Sequence, residues 1–290
     1  MSRLFCFGFG YSARALARQI DRPVAGTTRD GRDDTIMFDG TAQNSGRITR
    51  ALAEASHVLL AIPPDAHGDA VLRCFGPLLA RLPALTWLGY LSTTGVYGDH
   101  GGGRVDEDSP PAPLTERGRR RLAAEQAWRG FADAAGAPLH IFRLPGIYGP
   151  GRSLLEAVQA GTARNIVKPG HVFSRIHVDD LATALAASMA HPQPGALYNI
   201  CDDEPAPRHE VLAFACGLLG VPTPPEITLE EAGLDVMAAS FYGESKQVSS
   251  ARIKTGLALT WRYPSYREGL RAIASTMSVS RTRSSGSDRR

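Results

Sequence analysis

Six residues near the start of the chain, Gly8-Phe9-Gly10-Tyr11-Ser12-Ala13, read G-x-G-x-x-A. They follow an apolar run, Leu4 to Phe7, that reads as a strand, and they open a helical pattern from Ser12 to Ile20. A strand, a glycine turn and a helix in that order suit a dinucleotide phosphate. Gly8 permits the tight turn, Gly10 lets the backbone approach a pyrophosphate, and Ala13 keeps the helix close to the strand. The helix N-terminus then offers free N–H groups and the positive end of its dipole. A structural glycine turn is the plainer alternative. The position at the first strand–helix junction favours nucleotide binding, with Gly8, Gly10, Tyr11, Ser12 and Ala13 as the contact residues.

The same alternation of strand and helix continues along the chain. Pro23 to Thr27, Ile36 to Phe38, His57 to Ile62, Thr86 to Leu91 and Leu139 to Phe142 read as strands. Gly46 to Ala55, Ala70 to Leu82 and Thr115 to Ala134 read as helices. Short apolar runs alternating with helices predict an α/β fold, a doubly wound parallel-sheet Rossmann domain. The segment between the second and third strands is short, so a loop is expected there. The C-terminal half is less regular. Asp179 to Ala190 and Arg208 to Leu219 read as helices and Leu197 to Ile200 as a strand, with Pro- and Gly-rich joints between. The expected division is a Rossmann domain of residues 1–150 plus 171–204 and a smaller, discontinuous substrate domain of 151–170 plus 205–275. Residues 276–290 have almost nothing apolar to bury and are expected to be a disordered basic tail.

Composition limits the function classes. Hydrophobic residues make up 43% and charged residues 21%, so a sizeable core is available. No apolar run approaches the roughly 20 residues that span a bilayer, and no membrane partner is expected. The net charge is +3, and Arg281, Arg283, Arg289 and Arg290 against Asp288 account for all of it. The rest of the chain is neutral, so no nucleic-acid partner is expected; binding through the tail is a weak further reading. Cys6, Cys74, Cys201 and Cys216 form no C-x-x-C pair and read as buried free thiols. The histidines show no ligand spacing with them, so no metal site is expected. The chain begins directly in strand pattern without a charged leader, which points to the cytoplasm.

The second strand ends Thr27-Thr28-Arg29, with Arg32 nearby. Folds that prefer NAD usually carry Asp or Glu here for the ribose hydroxyls. A guanidinium suits a 2′-phosphate and cannot accept from a hydroxyl. Thr28 and Arg29 therefore favour NADP(H), with NAD(H) as the alternative; Asp30 weighs against a cationic pocket. Asp39 either bonds an adenine amino group or caps a turn. Ile62 and Pro63 follow the fourth strand where a backbone would border the cofactor, although Pro63 also simply ends the strand.

Leu91-Ser92-Thr93-Thr94-Gly95-Val96-Tyr97-Gly98, at the end of the fifth strand, resembles the extended short-chain dehydrogenases/reductases, the NAD-dependent epimerase/dehydratase group. Four further segments are similar to that family. They are Arg143-Leu144-Pro145-Gly146-Ile147-Tyr148-Gly149-Pro150, Arg175-Ile176-His177-Val178-Asp179-Asp180-Leu181-Ala182, Tyr198-Asn199-Ile200 with Asp202 and Asp203, and Lys246 to Ile253 with Trp261-Arg262-Tyr263-Pro264. The likeness spans residues 3 to 272. The family places Y-x-x-x-K on the helix after the fifth strand, commonly followed by A-A-E. Here Ala123-Ala124-Glu125 sets the register, so Arg117 and Arg121 stand at the Tyr and Lys positions.

The chain has three lysines, Lys168, Lys246 and Lys254, and none can fill that place. Arginine stays protonated and cannot serve as a general acid–base near neutrality. Arg117 could stabilise an oxyanion, and Arg121 could hold the nicotinamide ribose. The alternative is a solvated helix face with an Arg121–Glu125 pair. Thr93 matches the family's Ser/Thr that donates to the substrate oxygen; a proton would come from water, Tyr97 or Tyr148. Tyr242-Gly243-Glu244-Ser245-Lys246 is the only Y-x-x-x-K in the chain, and its place suits a substrate cleft better than a catalytic dyad.

The resemblance thus implies Thr93, Arg117, Arg121 and Tyr97 as catalytic candidates and Thr94, Arg143, Tyr148, Arg175, Tyr242 and Lys246 as residues facing substrate. His177 and Asp180 read as core. It implies an NAD(P)-dependent oxidoreductase or epimerase/dehydratase-like protein that moves a hydride to or from a carbonyl or alcohol carbon. The substrate would be a small anionic or sugar-nucleotide-like molecule, and the arginines favour the anionic group. Family members often form homodimers, which the resemblance allows here. Without the Tyr/Lys pair, a non-catalytic NADP(H)-binding redox sensor or regulatory protein is the alternative.

Overall fold

The computed structural model describes residues 2–43 and 45–284. The first half contains β1 (Leu4–Phe7), α1 (Tyr11–Gln19), β2 (Val24–Thr28), β3 (Ile36–Met37), α2 (Ser45–Ala53), β4 (His57–Leu60) and α3 (Ala70–Leu79). β5 (Trp87–Thr93), β6 (Arg104–Val105), α4 (Glu116–Ala135), β7 (Leu139–Leu144) and β8 (Gly146–Tyr148) come next. Then come α5 (Leu154–Gln159), β9 (Asn165–Ile166), β10 (Arg175–His177), α6 (Val178–Ala190), β11 (Leu197–Asn199) and α7 (Arg208–Leu219). The chain continues through β12 (Glu226–Ile227), α8 (Leu229–Ala232), α9 (Val236–Ser240), β13 (Gln247–Val248), α10 (Ala251–Gly256) and α11 (Tyr266–Ser284).

Seven strands form one parallel sheet in the order β3-β2-β1-β4-β5-β7-β11. The strand order reverses between β1 and β4, which in a doubly wound sheet opens a crevice at the C-terminal strand ends. β1 and β4 are buried at every residue, as a sheet covered on both faces requires. Alternate side chains go to opposite layers. Phe5 and Phe7 join Phe38, Ile48 and Phe75 on one face. Leu4 and Cys6 join Ala13, Leu16, Leu181 and Leu185 on the other. The loop expected between β2 and β3 is present, at residues 29–35.

Three two-stranded parallel pairs lie outside this sheet: β8 with β10, β9 with β12, and β6 with β13. The last brings residues 247–248 beside the loop after β5. α5, α7 and α11 share a separate core of Leu155, Val211, Ala215, Tyr266, Leu270 and Ile273.

The structure corrects two expectations. Ile253 and Trp261, assigned from sequence to the small domain, pack in the α1–α6 layer of the sheet. The tail expected to be disordered from residue 276 begins as helix, because α11 runs to Ser284. Leu270, Ile273, Ala274 and Met277 recur at helical spacing and pack on the α7 layer, which carries the helix past the expected boundary. The remainder of that tail, residues 285–290, lies outside the described residues. Among the described residues no helix is long and apolar enough to cross a membrane, and no group of three His, Cys, Asp or Glu is placed to hold a metal ion.

Candidate functional site

A cleft of about 670 Å³ opens at the C-terminal ends of β1, β4, β5 and β7. The glycine turn lines one end, through Gly8, Gly10, Tyr11, Ser12 and Ala13. Pro63 lies after β4, Thr93 and Thr94 stand at the end of β5, and α4 contributes Arg117 and Arg121. Phe241, Glu244 and Lys246 close the other side.

The glycine turn has the shape a dinucleotide phosphate needs. Gly8 has φ +90°, and a methyl there would stand 3.1 Å from Ile62 Cγ1 and 3.2 Å from the Ala61 carbonyl carbon. Its N–H donates to Thr27 Oγ1 at 3.1 Å. Gly10 is the N-cap of α1 and supplies no side-chain acceptor for the first-turn N–H groups. A methyl on Gly10 would meet nothing within 4 Å. Open N–H groups facing open space fit the phosphates of NAD(P). Tyr11 comes directly after; burial pushes its phenol up to about 12, and its O–H donates to the Pro150 carbonyl at 3.1 Å.

At the end of β2, Thr28 Oγ1 lies 2.7 Å from Thr35 Oγ1. Arg32 pairs with Asp30 at 3.3 Å and Arg14 with Asp33 at 2.6 Å. Arg29 is exposed and has no ion pair among the described residues. Asp39 accepts from Thr41 N and Oγ1 at 2.9 and 2.7 Å, so it caps a turn, the plainer of its two readings.

At the end of β5, Thr93 Oγ1 accepts from Gly95 N at 3.1 Å, and its O–H has no acceptor among the described residues. The Arg121 guanidinium donates to the Leu91 carbonyl at 2.5 Å, while its Nε is buried without a partner. Arg117 is exposed and lies over the Phe241 ring at 4.8 Å. Lys246 Nζ donates to the Gly98 carbonyl at 2.6 Å and pairs with Glu244 Oε2 at 2.7 Å.

Five of the ten catalytic and substrate candidates do not line the cleft, nor do the cofactor candidates Thr28, Arg29, Asp39 and Ile62. Tyr97 is fully buried; it donates to Asn199 Oδ1 at 2.8 Å and lies under the Arg143 guanidinium. Arg143 is itself buried against Glu125, at 2.7 Å. Burial alone would lower the guanidinium, but Glu125 outweighs it and the net shift is upward. Glu125 therefore pairs from α4 to β7 and not with Arg121 along its own helix. Tyr148 donates to the Ser265 carbonyl at 3.3 Å, and burial raises its phenol. Arg175 holds the Ala206 carbonyl at 2.8 Å, and burial lowers its guanidinium. Tyr242 is buried beside His171.

Glu244, Phe241 and Arg152 were not singled out from sequence. Glu244 carried a signal, since it stands two residues before Lys246 and extended chain puts such residues on one side. A methyl built on Gly95 would lie 3.5 Å from Thr93 Oγ1 and 4.0 Å from Glu244 Oε2, so both oxygens face one spot. Phe241 and Arg152 had no such signal.

The sheet order, the glycine turn and the cleft at the switch point are those of a Rossmann-type dinucleotide fold. Residues 76–201 match the model of the NAD dependent epimerase/dehydratase family. A solved structure of a functionally unknown conserved protein from Silicibacter pomeroyi DSS is 43% identical, with TM-score 0.86, over 95% of this chain and 99% of that one. Protein YeeZ of Escherichia coli (strain K12) is 28% identical over 222 residues, 74% of each chain. dTDP-glucose 4,6-dehydratase from Bacillus anthracis str. Ames, solved in complex with NAD, shares the fold at TM-score 0.77 and 16% identity, over 96% of this chain and 97% of that one. The chain is thus similar to the NAD dependent epimerase/dehydratase family over residues 76–201, is related over nearly its whole length to the Silicibacter pomeroyi protein, and shares the fold of the Bacillus anthracis dehydratase.

Proposed function

We propose that this protein is an NAD(P)-dependent oxidoreductase or epimerase/dehydratase-like enzyme acting on a carbonyl or hydroxyl of a small anionic or sugar-nucleotide-like substrate. One observation carries the reading: a single cleft joins the open glycine turn to Thr93, whose O–H is free to donate to a substrate oxygen. The nicotinamide, when bound, supplies the hydride acceptor or donor. Thr93 orients the oxygen of the reacting carbon. Arg117 reaches the cleft as a fixed cation suited to an oxyanion or an anionic group. Arg121 stands in the Lys position of the family motif and steadies the end of β5 through Leu91. The unpaired Arg29 favours NADP(H) over NAD(H). The segments around α5, α7 and α9 form the substrate-binding part.

The test is turnover. The protein is incubated with NADP⁺ or NAD⁺ and a panel of dTDP-glucose, UDP-glucose, UDP-glucuronic acid, aldehydes and ketones. Cofactor reduction is tracked by absorbance and sugar products by NMR. Thr93→Ala should lower the turnover found by about 100-fold, the cost of one well-aimed donor. Unchanged turnover in that variant would remove Thr93 from the mechanism.

A second reading has its own observation. Among the cleft-lining residues the single phenol is Tyr11, and its O–H is already engaged by Pro150. Tight NADPH binding with no turnover across the panel would favour a non-catalytic redox sensor.

A further inference from the structure

Arg117, Arg121, Arg152 and Lys246 are the cleft-lining arginines and lysine; two of them have polar partners, and Arg117 and Arg152 have ring contacts. Lys246 is held by Glu244 and the Gly98 carbonyl, Arg121 by the Leu91 carbonyl, and Arg117 rests on Phe241. Arg152 is exposed and has neither an ion pair nor a side-chain hydrogen bond among the described residues. The nearest acidic group along the chain, Glu156, accepts from Gly151 N and Ser153 N, both at 2.8 Å, and caps α5. A local ion pair therefore does not account for this arginine.

Its position is fixed from both sides. Arg152 closes a tight turn with Gly149, with N–H to O distances of 2.9 and 3.3 Å. The turn is seated on the phosphate loop: Tyr11 Oη donates to the Pro150 carbonyl. A methyl on Gly149 would lie 2.5 Å from that oxygen and 2.7 Å from Val178 Cγ1, so the turn and α1 are in close contact. The guanidinium carbon of Arg152 stands 5.7 Å from the Tyr11 ring. Tyr11 is the first residue of α1, directly after the uncapped Gly10.

We infer that Arg152 is a phosphate-binding residue, which the turn 149–152 sets against the pyrophosphate of a dinucleotide on the Gly8–Gly10 loop. The inference rests on the dinucleotide reading. A guanidinium presents paired N–H donors to phosphate oxygens, and such bonds are charge-assisted. Ser153, the next residue, is the N-cap of α5, so the same contact ties the bound phosphates to the α5–α7–α11 layer.

The test needs no substrate. The full chain and Arg152→Gln are titrated with NADPH, NADH and ADP-ribose, with adenosine as the phosphate-free control. Thermal melting should give equal midpoints, since Arg152 is exposed. Arg152→Gln should bind the three pyrophosphate ligands about tenfold more weakly, the scale of one charge-assisted bond. Adenosine affinity should not change, and Arg152→Lys should recover part of the loss. Equal affinity of wild type and Arg152→Gln for ADP-ribose overturns the inference and leaves the dinucleotide reading standing. Equal weakening of adenosine also overturns it, because the effect is then not on phosphate. A wild-type protein that binds neither NADPH, NADH nor ADP-ribose sinks both.

Discussion

The Glu125 carboxylate on α4 takes the Arg143 guanidinium of β7 at two points, 2.7 and 3.1 Å, and accepts from Ser92 Oγ of β5 at 2.5 Å. Both charged side chains are almost fully buried. Three elements thus meet at one carboxylate, and one of its partners, Ser92, precedes Thr93 in the chain. Glu125→Ala would leave Arg143 buried without a counter-charge. It should cost about 3–5 kcal/mol of stability in urea unfolding. The double change Glu125→Leu with Arg143→Met should cost clearly less, since no lone charge remains. A single-variant loss below about 1 kcal/mol would show that the pair is not what holds the sheet to α4.

The two glycines of the phosphate loop should separate stability from binding. Gly8→Ala places a side chain at φ +90° and against Ala61 and Ile62, and should destabilise by about 1–3 kcal/mol. Gly10 has φ −94° and open space around it. Gly10→Ala should therefore unfold within about 0.5 kcal/mol of wild type. Its NAD(P)H affinity should fall by at least about tenfold, because the methyl occupies the phosphate space. Equal binding by Gly10→Ala and wild type would place the phosphates elsewhere.

Arg29 should set cofactor choice. Arg14 and Arg32 are neutralised by Asp33 and Asp30, which leaves Arg29 as the unpaired guanidinium of this loop among the described residues. Arg29→Ala should weaken NADPH about tenfold and leave NADH unchanged, read by fluorescence titration. Two equal ratios would end the case for a 2′-phosphate contact.

His140 should make stability fall in acid. Its Nδ1 donates to the Pro138 carbonyl at 2.9 Å, and its Nε2 accepts from Gln193 N at 2.8 Å, so the second bond needs the neutral ring. Burial lowers its pKa from 6.5 to about 4. Between those values the unfolded chain binds the extra proton and the folded chain does not. Stability is therefore full above about pH 6.5 and falls as pH drops towards 4, by about 3 kcal/mol from this ring. His177, also lowered to about 4 by burial, adds in the same direction. Asp202 and Asp180 are raised by burial and act the opposite way, so the difference between wild type and His140→Gln isolates the ring. NMR titration of His140 with a midpoint near 6.5 would contradict this.

Much of the fold was legible because its signals are local. Strand runs such as Leu4–Phe7 are apolar at every residue, and the intervening helices carry their period in nine to twenty residues. The glycine turn was equally legible, since the φ of Gly8 and the bare N-cap at Gly10 come from the residue type and its neighbours. The candidate site was legible at Thr93, Thr94 and Lys246, and in Arg117 and Arg121 facing the cleft. It was misread at Tyr97, Arg143, Tyr148, Arg175 and Tyr242. Each of those side chains is taken up by a partner distant in the chain, Asn199, Glu125, Ser265, Ala206 and His171 in turn, and such partners are set by the packing of whole layers. The tail was misread for a different reason. Its composition is polar, and the apolar stripe of α11 that runs through Met277 gains its value only against α7.

By itself the amino-acid order determined the parallel α/β architecture, the phosphate turn and the likeness to a family of dinucleotide enzymes. Each of these depends on spacing within a few residues. The tertiary structure alone decided which charges meet in the cleft. Lys246 and Glu244 arrive there because β13 pairs with β6, and Arg152 because Tyr11 holds Pro150 across 139 residues of chain. Such contacts are set by how whole layers pack, and no local pattern encodes them.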